Sequence, residues 1–409
     1  MKFFILFLLS LGFSAFAQNI SVDNLDKEVS AAILQNIEKS NIPGAVVCIK
    51  KGEKVLLKKA YGYAKLKDFD ESISENPEPM TVNHLFDIAS LTKVVGTTTA
   101  IMKLHDQGKL NVGDPVAKYV SGFSEGDKKL ITVRHLLTHT SGMYDWYPLY
   151  YFSNKRLETI NFIKNLPLKY PVGAERHYSD LGFTILGEII EKVSGKTLDK
   201  YLKSEVFEPL KMNNTGFNPD KTKYLFAATS PGNPYEKRMV EDASLGFKVE
   251  GLDPKSWNGW RQYLIKGEVN DGNAWYAGEG ISGAAGLFSD IQDIQKLVDM
   301  LKNKGKAGKK RFISEKTVNL FTTQDIFKNG LGWMMDPLNA FMRKAPEGTF
   351  GHTGFTGTSI AVVPEENLSV VLLINRQNMG LQPTKDYFNV NPIREAVFNA
   401  ALKWSKSGN

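Results

Sequence analysis

Phe86-Asp87-Ile88-Ala89-Ser90-Leu91-Thr92-Lys93 stands where the chain changes character. Before it, apolar residues come in short strand-like runs; after it, they recur at helical spacing. Residues 91 to about 107 read as one long helix, which Gly108 can end as a C-cap. Ser90 and Lys93 are three positions apart, so both side chains fall on one face of the first turn. Backbone N–H groups and the helix dipole favour negative charge at that end. A serine hydroxyl needs a base to become a nucleophile, and a lysine whose ammonium is desolvated can take or relay the proton. The S-x-x-K pattern occurs only here, yet a chain this rich in serine and lysine yields about one or two by chance. Alone, the spacing is a weak signal.

Outward from this stretch, residues 25–38 have apolar positions at helical spacing. Residues 44–50 and 54–63 read as strands around a turn at 51–53. Helices dominate from about 88 to 301, and strand signals return at 349–352, 358–363 and 368–374, with a turn at 364–367. A helix over about 392–403 closes the chain. Strands at both ends with helices between predict an α/β fold, one antiparallel sheet built from the two termini plus a large all-α region. The sheet part is expected over about 24–87 and 345–409 and the mainly helical part over about 88–344, within one catalytic unit spanning 18–409.

The ends and the composition bound the setting. Met1-Lys2, an apolar run over 3–13 and Ala15-Phe16-Ala17 before Gln18 form a secretory signal pattern over residues 1–17. The run is short for a membrane span, so no transmembrane anchor is expected after cleavage. The mature protein is expected in the periplasm or outside the cell. The single cysteine, Cys48, allows no internal disulfide and lies far from the cleavage point, which argues against a lipoprotein. A content of 42% hydrophobic and 23% charged residues is ordinary for a globular protein held by its core. The formal charge of +7 is densest at 302–311, KNKGKAGKKR. No aromatics interleave there, so the cluster reads as a solvated loop and not as a nucleic-acid surface.

Elimination narrows the chemistry. There is no H-E-x-x-H, no cysteine cluster and no metal-site spacing among the six histidines. G-x-S-x-G and G-x-x-x-x-G-K-[ST] are also absent, which argues against an α/β-hydrolase and against nucleotide cofactors. No metal and no cofactor are expected. Two further motifs attract notice. Tyr178-Ser179-Asp180 precedes a helix that stops at Gly195, and a phenol beside a cation can act as a general base. A tyrosine chosen at random is more often a core residue. Gly351-His352-Thr353-Gly354 ends a strand and leads into Phe355-Thr356-Gly357. Glycines let a substrate backbone approach, and the Thr hydroxyl and His can bind a carboxylate, with Ser90 and Phe355 N–H groups forming an oxyanion hole. Taken singly, such a segment is usually a turn.

In order, Ser-x-x-Lys, Tyr-x-Asx and His-Thr-Gly, separated by about 85 and 174 residues, resemble the class C β-lactamase and low-molecular-mass penicillin-binding protein family. So do residues 136–142 (LLTHTSG), 183–190 (FTILGEII) and 282–289 (SGAAGLFS). Residues 266–275 (KGEVNDGNAW) and 351–358 (GHTGFTGT) are most similar to penicillin-binding proteins of the 4B type, assigned as D-Ala-D-Ala carboxypeptidases. The resemblance runs from about residue 42 to 402. It implies a β-lactamase/transpeptidase-like fold and a two-step acyl transfer. Ser90 attacks the carbonyl, Lys93 and Tyr178 move the protons, and the Ser90 and Phe355 amides hold the oxyanion. Asp180, His352, Thr353 and Gly354 would bind substrate, a small molecule or peptide, peptidoglycan included. Against the family pattern, His352 stands for a frequent lysine, Asp180 for asparagine, and Asn270 and Ala284 for histidines of the 4B branch. A histidine would hold a carboxylate in a pH-dependent way, and an ionised Asp180 cannot donate as an amide does. These departures favour peptidase or esterase activity over antibiotic hydrolysis. An esterase or other acyl hydrolase is one alternative. The other is a silent penicilloyl sensor or binding module, against which the intact Ser90, Lys93 and Tyr178 argue.

Overall fold

The computed structural model describes residues 22–336 and 341–407; the expected signal segment, 1–17, lies outside them. A six-stranded antiparallel sheet forms the backbone of the molecule. Its order is Ile73–Pro79, Lys54–Lys67, Gly44–Lys51, Leu368–Ile374, Ser359–Val363 and Phe350–Thr353. The two termini therefore meet at its centre, where Ala45 faces Ile374 and Lys51 faces Leu368. Alternate side chains of the central strands enter different cores. Val46, Cys48, Val371 and Leu373 pack toward the helical region, whereas Ala45, Val47, Leu372 and Ile374 pack against the terminal helices. With both faces covered, these strands are apolar throughout and do not alternate with polar residues.

Helix Val22–Glu38 buries Leu25, Val29 and Ile33, one stripe at helical spacing. It packs on helix Asn391–Lys406, which contributes Ile393, Val397 and Phe398 to the same core. The expected hairpin is present, with Gly52 at φ +56° in its two-residue turn. The edge strand Ile73–Pro79 carries no alternating pattern in its sequence, ISENPEP, and only pairing reveals it. Its partner extends to Lys67, past the expected end at 63, because Lys65 and Lys67 pair with Glu78 and Ile73. Pro77 and Pro79 block further strand addition at that edge.

The helical region covers the other face of the sheet. The helix expected over 91–107 opens with π-helical geometry over Lys93–Thr98 before the α-helical Thr99–Asp106, and Gly108 follows at φ +69°. Helix Asp180–Ser194 is capped by Ser179, whose Oγ accepts from the Gly182 N–H at 3.1 Å, and ends at Gly195, φ +69°. The basic cluster differs from expectation at its start. Lys302 belongs to helix Ile291–Lys302, its side chain is buried, and its Nζ donates to the Gly52 carbonyl at 2.7 Å. The four-carbon stem packs inside while the ammonium finds a carbonyl at the hairpin turn. The remainder forms a small hairpin, Lys306–Ala307 with Lys310–Arg311. Among the described residues no helix is long and apolar enough to cross a membrane.

Candidate active site

Ser90 is held in place by a turn that its own backbone would resist. Ala89, just before it, sits at φ +46°, a left-handed conformation that a side chain disfavours by roughly 1 kcal/mol. Asp87 holds the turn: its carboxylate accepts from the N–H of Ala89 at 2.8 Å and of Asn270 at 2.6 Å. Burial pushes Asp87 up to about 6. From the opposite side, Thr356 and Thr358 donate their hydroxyls to the carbonyls of Asp87 (2.8 Å) and Ile88 (3.1 Å). The Ile88 N–H donates to Leu287 at 3.0 Å, so three segments far apart in sequence fix one turn.

Lys93 is fully buried beneath Ser90. Its Nζ donates to Ser90 Oγ at 3.1 Å and to the Ala284 carbonyl at 2.9 Å, and it pairs with Asp180 Oδ1 at 2.6 Å. Burial works against the ammonium, but the charge of Asp180, helped by Tyr178, more than offsets it and holds Lys93 above the ordinary lysine range. Tyr178 lies over the same cluster, with Lys93 Nζ 5.1 Å from its ring centre and its hydroxyl engaged with Ser90 and Lys93. Burial raises its phenol, although Lys93 pulls the other way. At rest the pair is thus an ammonium and a neutral phenol.

The tyrosine is placed by a histidine to which sequence reasoning assigned no role. His139, in the LLTHTSG stretch, is buried and stacks on Tyr178 with ring centres 4.4 Å apart. Its Nδ1 accepts from the Ser179 N–H at 3.0 Å and its carbonyl accepts from the His177 N–H at 2.9 Å. Burial keeps the imidazole neutral by lowering its pKa well below the usual histidine value. Its own φ of +59° is the local mark of a specialised position.

Ser90, Tyr178, Asp180 and Phe355 line one cleft of about 610 Å³. Among the described residues neither the Ser90 nor the Phe355 amide donates to a protein acceptor. His352, Thr353 and Gly354 do not line this cleft. His352 is buried behind Tyr178, its ring centre 6.2 Å away, and its Nδ1 meets the Thr353 carbonyl at 2.8 Å. Burial, and then the charge of Lys93, push it down to about 3, so the expected pH-dependent hold on a carboxylate has no charged imidazole behind it. Gly354 serves approach: a Cβ there would stand 2.1 Å from Thr358 Oγ1 and 2.5 Å from the Ile88 carbonyl. Asp180, expected to bind substrate, lines the cleft and also pairs with Lys93.

Sheet order, the buried Ser90-Lys93-Tyr178 cluster and its cleft define a serine hydrolase of the β-lactamase and penicillin-binding type. The chain belongs to the Beta-lactamase family, whose model matches residues 29–391. It is 34% identical over 86% of its length to 81% of a Bacillus subtilis protein named N-acetylmuramyl-L-alanine amidase. It is 32% identical over 88% of its length to 84% of a Salmonella typhimurium protein provisionally named D-alanyl-D-alanine carboxypeptidase. Among solved structures, EstCE1, a hydrolase with promiscuous acyltransferase activity, superposes with a TM-score of 0.67 over 92% of this chain and 99% of its own, at 23% identity. A class C β-lactamase from Rhodobacter sphaeroides gives 0.64 over 92% and 98%, at 19% identity. At these identities the structures speak for the fold alone.

Proposed function

We propose that this protein hydrolyses an amide or ester through an acyl-enzyme on Ser90. The observation that carries the reading is the contact of Lys93 Nζ with Ser90 Oγ at 3.1 Å, inside a buried cluster that opens onto the cleft. Ser90 Oγ attacks the carbonyl carbon as its proton leaves to the Lys93–Tyr178 pair, once that pair has lost one proton of its own. The unpaired amides of Ser90 and Phe355 receive the developing oxyanion, a contribution of about 3–4 kcal/mol per donor in comparable sites. The pair then returns the proton to the leaving group, and water repeats the sequence in reverse to free Ser90. His352 and Gly354 support this as packing behind Tyr178 and beside the serine turn. Cell-wall peptides are the favoured substrates, because curated relatives carry amidase and carboxypeptidase names. Export rests on the pattern at residues 1–17.

The test is intact-mass analysis after mixing with fluorescent penicillin, a short-chain nitrophenyl ester and a D-Ala-D-Ala peptide, beside Ser90→Ala. A stable or transient adduct on Ser90, absent in the variant, is expected. Turnover that persists unchanged in Ser90→Ala would sink the reading. Ester turnover without penicillin labelling would favour the esterase alternative.

A further inference from the structure

The charged residues lining the cleft are four carboxylates, Asp145, Asp180, Glu236 and Asp271, and one lysine, Lys169. Lys169 pairs with Asp145 at 3.2 Å, and the buried Lys93 pairs with Asp180 at 2.6 Å. Both cations are thereby spent. Glu236 and Asp271 have no cation at ion-pair distance among the described residues; the nearby Arg261 donates instead to Asn233 Oδ1 and to the Val269 and Asn270 carbonyls.

Glu236 is also incompletely satisfied. Its Oε2 accepts from the Gly272 N–H at 2.8 Å, but its Oε1 is shielded from solvent and closes no hydrogen bond. The one hydroxyl facing it is Tyr150 Oη, which interacts with the carboxyl without closing a well-formed hydrogen bond. Burial together with Asp271 pushes Glu236 up to about 8, and burial together with Asp180 pushes Asp271 up to about 6. Carboxyls that retain protons for want of a counter-ion complete an ion pair when a cation arrives and the proton leaves. Gly272 allows the arrangement, since a Cβ there would lie 2.3 Å from Glu236 Oε1. A metal is not the natural complement: no group of three or more His, Cys, Asp or Glu among the described residues is arranged to hold one. The cleft is also lined by the apolar Trp146, Phe247 and Met239, a surface that suits an organic cation.

We propose that Glu236 and Asp271 form a subsite that binds a protonated amine, so that the substrate is an amide or ester carrying an organic ammonium. This rests on the acyl-hydrolase reading for the bond that is broken, and the test separates the two. Ser90→Ala protein, which cannot be acylated, is titrated by calorimetry with four p-nitroanilides. Two are cations: D-alanine p-nitroanilide, and Nα-acetyl-D-lysine p-nitroanilide with its ammonium at a longer reach. One is neutral, N-acetyl-D-alanine p-nitroanilide, and one is an anion, its N-succinyl analogue. At least one cationic probe should bind about tenfold or more tighter than the neutral one, and the anion more weakly still. Adding Glu236→Gln, or Asp271→Asn if the first variant misfolds, should bring the cationic and neutral probes within about twofold. Equal binding of all four, or preference for the anion, overturns the subsite whether or not the native enzyme proves to acylate Ser90. Absence of acylation with the cation preference intact would leave the subsite standing and remove only the hydrolase reading.

Discussion

Lys93 keeps its proton because Asp180 stands 2.6 Å away, and that sets the conditions under which Ser90 can be activated. A base is available only after the Lys93–Tyr178 pair loses a proton, and the carboxylate makes that loss harder. The limb of kcat/KM governed by the pair should therefore lie on the alkaline side, with activity rising as pH increases. Asp180→Asn removes the carboxylate that raises Lys93, so the limb should move to lower pH by about one unit or more. A pH–rate profile with a neutral ester checks this, and an unmoved limb would refute it. Glu236 offers a second readout, on stability. Its carboxyl is raised to about 8, so the folded state holds that proton more tightly than the unfolded chain. Stability from this group is full below the unfolded pKa and is lost as pH rises through the folded value. Glu236→Gln should thus raise the melting temperature at pH 8 relative to the unmutated protein, with the gain vanishing near pH 4, as a thermal scan at both pH values would reveal.

At the scale of elements, the loop 354–358 clamps the serine turn from far away in sequence. Residues 354–358 are held from below by Arg394, which donates to the carbonyls of Gly354 at 3.0 Å and Thr358 at 2.9 Å. They are held from above by the Thr356 and Thr358 hydroxyls on the serine turn. The glycine at 354 is what lets the strand end come this close. Gly354→Ala should cost about 1–3 kcal/mol of stability by overpacking. Because it displaces the Phe355 amide from Ser90, it should also lower kcat/KM by about tenfold to a hundredfold. Urea unfolding and ester kinetics measure the two effects, and a variant with normal kinetics would dissociate this loop from the reaction. The segment was legible as a glycine-bounded strand end. Which of its groups face the cleft was not, because the side-chain direction of His352 depends on its register with Ile360 and on Tyr178 behind it.

On the scale of the whole molecule, the sheet is closed by its ends. Helix Asn391–Lys406 and helix Val22–Glu38 cover one face together, with Phe398 fully buried between sheet and helix. Phe398→Ala should cost about 3–5 kcal/mol, lowering the denaturation midpoint while leaving the folded cleft, on the other side of the sheet, active per folded molecule. Denaturant unfolding followed by tryptophan fluorescence, with activity measured below the transition, is the check. The sequence by itself determined the strands whose apolar runs are buried on both faces, the helices ended at Gly108 and Gly195, and the serine and lysine that share one helical turn. Those are properties of periodicity and of glycine stereochemistry, which act over a few residues. Only tertiary structure decided the edge strand Ile73–Pro79, the role of His139 under Tyr178, the pairing of Asp180 with Lys93, and the carboxyls of Glu236 and Asp271 left without a counter-ion. Each depends on which distant segments meet, and on whether water or a counter-ion is left beside the charge when they do.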